Sequence, residues 1–363
     1  MRRTAYLDSK DAVPRPQRRR ASKTPECVNR QVRRRGGFSG ELSAGKVCGI
    51  LKGMTFSLST SYFAGHGLSP AEMAARTVAL GFQQVELGYF TRAEELPAWE
   101  VALAREGLSV SSVHAFLAVA SPGPERYSLA AVERPVHEAA VGAFLRALEV
   151  ARAFGATAIV VHGGRVQLRE PRLLFGSRPY RSQLEQAFLR RGGVPDMELA
   201  AQERALRAEA APAHLAALAE VMAYALPQVE AAGLTVAFEN LPGLEAFPDP
   251  AEMAWLRHRF PTPALGAWYD IGHGERKARV GDWPVPETLD FTGAFTVGVH
   301  IHDVRGLLED HRAPGEGTVD FRALQPLLCK PGLIRVFEPS PEVTPERLRQ
   351  GLRFISALVA EGA

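Results

Sequence analysis

Histidine, aspartate and glutamate recur in this chain at the ends of short, β-branched runs. The run Ser109–His114 closes on His114, Ala158–His162 on His162 and Thr235–Glu239 on Glu239. Leu265–Asp270 closes on Asp270 with His273 three residues on, Thr296–His302 carries His300 and His302, and Leu333–Glu338 ends at Glu338. Imidazoles and carboxylates together are donors for borderline-to-hard divalent cations, and this set suits Mn²⁺, Zn²⁺, Co²⁺ or Mg²⁺.

Each position also has a plainer interpretation. Taken singly, His114 or His162 reads as a hydrogen-bonded packing residue. Glu239, in VAFENLP, leaves a buried strand, where an unpartnered carboxylate is costly, so it points to metal binding or proton transfer ahead of a structural ion pair. Asp270-Ile271-Gly272-His273 sets a carboxylate and an imidazole at a strand-to-loop turn in which Gly272 permits unusual backbone angles; the alternative is an Asp turn cap. Glu338 is followed by Pro339, which stops the strand, and its alternative is an ion pair. His300 and His302 are two apart and share a strand face, so periodicity alone leaves both open as ligands. Asp303 and Arg305 follow, and Asp310 to Gly317 reads as an ordered polar loop containing His311.

Eight strand candidates carry these residues: Thr55–Thr60, Gln84–Leu87 and the six just named. Helical patterns lie between them, several opened by cap chemistry before proline, as at Ser69-Pro70, Asp249-Pro250 and Thr344-Pro345, and several closed by glycine, as at Gly81, Gly107, Gly155 and Gly233. Eight βα units predict a TIM (β/α)8 barrel whose strand ends converge on one mouth. A doubly wound sheet is disfavoured because no glycine-rich phosphate loop follows the first strand. The longest departure from the repeat, Gly163 to about Pro212 after strand four, is expected to be an insertion at the mouth, either a lid or interface arm or a surface elaboration.

The chain has 363 residues, 46% hydrophobic and 23% charged, enough for a large core. Its net charge of +3 conceals two halves. Residues 1–53 hold 14 basic and 4 acidic side chains without apolar periodicity, whereas 54–363 hold 29 basic and 36 acidic. The first part reads as a disordered basic tail, explained by a start codon assigned upstream of Met54 or by a nucleic-acid-binding arm or transit segment. The acidic remainder argues against a duplex DNA partner, since phosphate neutralisation supplies most of that affinity. No apolar run suits a membrane helix or a secretory signal, and Cys27, Cys48 and Cys329 form no disulfide framework. The expectation is a cytoplasmic protein with no membrane partner and with homo-oligomerisation left open.

In order, VVHGG, FENLP, YDIGHG, VHIHD, DHRAPGEGTVDF and FEPSP resemble the xylose isomerase-like TIM barrels, across essentially all of residues 54–363. That superfamily includes sugar and sugar-phosphate isomerases and epimerases and the endonuclease IV group of apurinic-site nucleases. Resemblance to the ketose epimerases implies a metal quartet of Glu239, Asp270, His300 and Glu338, with both glutamates exchanging the proton. Under that resemblance His273, Arg305, His114 and His162 contact substrate hydroxyl or phosphate groups. Resemblance to endonuclease IV implies a multinuclear zinc site that adds His114, His162, His273, Asp310 and His311. The aspartate of that pattern falls on Glu309, with Asp310 one residue off. The leading expectation is therefore a metal-dependent isomerase or epimerase whose partner is a small sugar or sugar phosphate, with an apurinic-site phosphodiesterase as the alternative. A non-catalytic sugar-binding barrel is a third reading, weakened because binding alone needs no ligand quartet.

Overall fold

The computed structural model describes residues 54–115, 128–167, 183–283, 293, 295–307 and 309–362. The tail at 1–53 and residues 168–182 of the insertion lie outside the described residues. Twelve strands are described: β1 (Ser57–Ser59), β2 (Gln84–Leu87), β3 (Ser109–His114), β4 (Ala158–Val161), β5 (Gly164–Arg165), β6 (Thr235–Glu239), β7 (Ala246–Phe247), β8 (Leu265–Asp270), β9 (Thr296–Ile301), β10 (Asp303–Arg305), β11 (Glu309–Arg312) and β12 (Ile334–Phe337). Eight of them close into a parallel barrel in the order β1-β12-β9-β8-β6-β4-β3-β2. This is a TIM barrel.

Helices α1 (Pro70–Leu80), α2 (Leu96–Glu106), α3 (Arg134–Ala153), α4 (Gln183–Arg190), α5 (Met197–Ala231), α6 (Pro250–Arg259), α7 (Ile271–Arg279), α8 (Gln325–Leu328) and α9 (Pro345–Gly362) accompany the strands. Local chemistry explains several starts. Ser69 and Glu72 form a reciprocal capping box ahead of α1, as do Asp249 and Glu252 ahead of α6, each with proline in the first turn. The outer faces of the strands bury Leu58, Val85, Leu87, Phe238 and Phe337 against helix residues such as Phe144, Leu218 and Leu348.

The barrel interior follows the two-residue period of a strand. Val160, Ala237, Trp268 and Val336 point inward and pack together as an apolar plug. Two residues further along the same inward faces come His162, Glu239, Asp270 and Glu338, so one period lifts the chain from plug to mouth. Gly298 belongs to the plug as well, since a Cβ there would lie 2.1 Å from the Trp268 ring. The Trp268 ring in turn meets the His300 ring edge-on, 5.2 Å between centroids.

Two departures from expectation concern the insertion and the loop after β9. Pro212 does not mark the insertion's end: α5 runs unbroken for 35 residues through Pro212 and Pro227. Its face of Ala200, Glu203, Arg207, Ala211 and Leu215 is buried, and Arg207 grips Glu252 with both guanidinium arms, at 2.7 and 2.8 Å. Tertiary packing and a buried bidentate pair thus outweigh the hydrogen bonds that proline removes. The segment from Asp310 begins as strand rather than loop, because β11 pairs antiparallel with β10. Beyond it the Asp303 carboxylate accepts the Gly315, Gly317 and Val319 amides at 2.8 to 3.1 Å.

Candidate functional site

The mouth of the barrel opens into a cavity of about 340 Å³. Its floor is His114, His162, Glu239, His273, Asp310, His311 and Glu338, and its rim is Ser61, Tyr89, Phe90, Pro339, Ser340 and Pro341. Three groups of ligand-type side chains meet there, each with donor atoms within 4.8 Å of one another: Glu239, Asp270, His300 and Glu338; His114, His162 and Glu239; and Asp270, His273, His302 and His311. Glu239 and Asp270 each belong to two groups, so the three are contiguous.

The quartet centres on His300, which pairs in register with Asp270 on β8 and Val336 on β12. Its Nδ1 lies 3.2 Å from Glu239 Oε1, 3.2 Å from Glu338 Oε2 and 3.7 Å from Asp270 Oδ2. Its Nε2 donates to Glu86 at 3.1 Å, and Glu86, fully buried on β2, also accepts Ser112 Oγ at 2.8 Å. A carboxylate behind an imidazole fixes the ring and raises its basicity. Periodicity left His300 and His302 equivalent; Glu86 and the facing carboxylates distinguish them.

His302 is engaged differently. Its Nδ1 accepts the His311 amide N–H at 2.9 Å, so its proton sits on Nε2, which donates to both Asp270 oxygens at 2.9 and 3.0 Å. With both nitrogens occupied, His302 orients Asp270 instead of offering a lone pair. His273 has the complementary arrangement, with Nδ1–H donating to the Asn240 carbonyl at 3.0 Å and Nε2 left as donor atom. His114 likewise sends Nδ1–H to the Ala115 carbonyl at 3.1 Å and turns Nε2 to Glu239 at 3.2 Å. His162 Nε2 meets the same Glu239 oxygen at 2.9 Å.

Asp270 ends β8 and caps α7, its Oδ1 accepting the His273 amide at 2.7 Å. The cap and the candidate ligand are one side chain. Asn240 brackets the Asp270 backbone with both amide atoms, at 2.7 and 2.9 Å. Gly272 acts by size and not by unusual angles: it lies inside helix α7, and a Cβ there would fall 2.0 Å from the His302 ring.

No Lys or Arg among the described residues pairs with Glu239, Asp270 or Glu338; their charged partners are imidazoles. Three buried carboxylates in one place require compensating positive charge, and a donor set of carboxylates and imidazoles this close fits divalent cations. The electrostatics of the cation-free cluster express the same demand. Burial opposes the Glu239 charge, yet His300, His162 and His114 hold its carboxyl well below the usual range. Burial also opposes charge on His300, but Glu338, Glu86 and Glu239 lift it well above the ordinary imidazole value. His311, against its burial, is raised to about 9 by Asp310, Glu338 and Asp270. Burial lowers His162 and His302 despite their carboxylate neighbours.

The remaining expected site residues fall at the edge of this assembly. Asp310 reaches the cavity, but its carboxylate is taken by Arg276 and by His311 Nδ1. Glu309 is more than half exposed and pairs with Arg305 at 3.7 Å. Arg305 lies outside the cavity lining on the exposed hairpin, because its strand turns away after Asp303. Three positioning residues escaped the sequence reading. Glu86 sits mid-strand with no imidazole nearby in sequence, Asn240 was read only as part of FENLP, and Arg276 lies beyond the motif.

Residues 74–358 match the sequence profile of the xylose isomerase-like TIM barrels. The chain belongs to that family. Among solved structures, this family member is similar to a D-tagatose 3-epimerase-like protein at 17% identity and a TM-score of 0.59, covering 85% of this chain and 99% of the other. It is also similar to the 3-keto-D-glucoside 4-epimerase YcjR from E. coli, at 16% identity and 0.58, covering 84% and 99%. A third similar structure is the TTHB071 protein from Thermus thermophilus soaked with ZnCl2, at 20% identity and 0.54, covering 85% and 100%. At these identities the likeness concerns the fold. No curated protein matches this family member in sequence. No described helix is long and apolar enough to cross a membrane.

Proposed function

We propose that the protein is a metal-dependent sugar isomerase or epimerase that moves a proton at a carbon beside a carbonyl. The observation that carries this reading is that Glu239 and Glu338, which line the cavity, both lie 3.2 Å from one nitrogen of His300, with Asp270 and His300 fully buried behind them completing the quartet. A divalent cation held by Glu239, Asp270, His300 and Glu338 would polarise the carbonyl and acidify the adjacent C–H. The protein's own part is to take and return the proton: one glutamate acts as general base while the other acts as acid. Tyr89, Phe90, Pro339 and Pro341 supply an apolar rim that narrows access of water. No Lys or Arg is among the described lining residues, which favours a neutral sugar over a sugar phosphate. The test is proton exchange: protein loaded with Mn²⁺, Co²⁺, Mg²⁺ or Zn²⁺ is incubated with ketoses and aldoses in D₂O. Deuterium should enter beside the carbonyl, and Glu239→Gln should stop it. Absence of exchange with every sugar and cation sinks the reading.

One observation favours a second reading, a phosphodiesterase with several cations. His114, His162 and Glu239 on one side of the quartet, and Asp270, His273 and His311 on the other, are donor groups that a single-cation epimerase does not require. Two or three zinc equivalents with cleavage of an abasic-site duplex would support it, and zinc-loaded protein without cleavage would count against it.

A further inference from the structure

We infer that helix α4 of the insertion is braced to the cation-binding floor through Glu185, Arg276 and Asp310, and that this brace sets the position of His311. The inference rests on the reading that His311 contributes to a cation site beside the quartet.

Arg276 stands on α7 one turn beyond His273, which stands three residues beyond Asp270, so one helix face carries all three. Its guanidinium bridges two elements. Nη2 donates to Glu185 Oε1 on α4 at 2.6 Å, and Nη1 donates to Asp310 Oδ2 on β11. Glu185 is buried, and the Arg276 side chain retains 15% exposure, so the bridge is largely removed from water. An arginine fork loses little freedom on being held this way.

The Asp310 end matters because of the residue after it. His311 has φ 54, the one non-glycine residue with positive φ among those described, a strained conformation that persists only when its surroundings impose it. Three contacts impose it here: its amide on His302 Nδ1, its carbonyl accepting the Ser340 amide at 2.7 Å, and the Asp310 side chain fixed by Arg276. Its ring is thereby stacked on His302 at 4.0 Å, with Nε2 3.9 Å from Glu338 Oε2. The insertion is accordingly part of the site's frame. Glu185 and Arg276 are positioning residues that touch no substrate.

The test is Co²⁺ titration of the full-length, cation-free chain, followed by the visible absorption of bound cobalt, for wild type, His311→Gln, Glu185→Ala, Glu185→Gln and Arg276→Lys. The binding event whose spectrum changes in His311→Gln identifies the site in question. Glu185→Ala should weaken that event about 10- to 100-fold, the usual effect of losing a residue that orients a ligand, while the tightest event keeps its affinity and spectrum. Glu185→Gln, which still accepts from Arg276, should recover most of the affinity. If Glu185→Ala fails to fold, Arg276→Lys, which keeps the charge and loses the fork, should give the same selective loss. An unchanged His311-dependent event in Glu185→Ala and in Arg276→Lys overturns the brace alone. A wild type with no His311-dependent event overturns both the brace and the reading beneath it.

Discussion

At the scale of single residues, the site divides into side chains that can hold a cation or a proton and side chains that aim them. Glu239 and Glu338 belong to the first kind. Glu239→Gln or Glu338→Gln should lower turnover by about 10²- to 10⁴-fold, the usual worth of a positioned acid or base, while circular dichroism keeps its native form; activity retained in both variants would remove the proton-transfer mechanism. Glu86 belongs to the second kind. It makes no contact with the cavity, yet Glu86→Gln should weaken cation binding about 10- to 100-fold by releasing His300 Nε2, measurable by calorimetric titration; unchanged affinity would mean that the plug below His300 holds the ring unaided. Residue type and strand-end position made Glu239, Asp270, His300 and Glu338 legible in the sequence. Glu86 was not, because its partner is 214 residues away. Nor was the exclusion of Arg305 legible, because spacing cannot say that the chain turns outward after Asp303.

At the scale of elements, strand ends were read closely because short apolar runs bounded by glycine and proline carry their own punctuation: β2, β3, β6 and β8 match the expected spans residue for residue. The insertion was harder. Proline inside α5 reads as a boundary, and the buried face of the helix with its Arg207–Glu252 pair explains why it is not one. Helix α7 shows how an element converts local chemistry into site geometry. Its cap is Asp270, its first turn carries His273, and its second residue, Gly272, leaves room for His302. Gly272→Ala tests that last point. Alanine improves helix propensity by about 1 kcal/mol, but its Cβ would lie 2.0 to 2.9 Å from three atoms of a fully buried ring. Overpacking of this kind costs about 1–3 kcal/mol, so the clash should win and the urea midpoint should fall, together with cation affinity through Asp270. A midpoint at or above wild type would show that the His302 ring moves aside cheaply.

For the molecule as a whole, the barrel brings its strand ends to one mouth and concentrates there more carboxylate and imidazole than a folded interior tolerates without compensation. In the cation-free protein that compensation is protons. The sign follows from the imidazoles. His311 is raised to about 9, against an unfolded value of about 6.5, and His300, His114 and His273 are raised as well. A group raised on folding stabilises fully below its unfolded pKa and loses that contribution as pH climbs through its folded pKa. His162 and His302 are lowered and are therefore neutral in both states above about pH 6.5. The cation-free protein should thus lose stability between about pH 6.5 and 9. A cation must displace the same protons, since only the neutral imidazole is a ligand. Cation binding should then release at least about one proton per chain near pH 7.5, release progressively less as pH rises through about 9, and tighten over the same interval. Titration with Zn²⁺ in weakly buffered indicator solution measures the release directly, and melting of chelator-treated protein across the interval measures the stability. Release that is absent near neutral pH, or that grows as the solution becomes more alkaline, would mean that the buried carboxylates are balanced by something other than protonated histidine, and the cluster could no longer be read as a site whose protons hold the place of a cation.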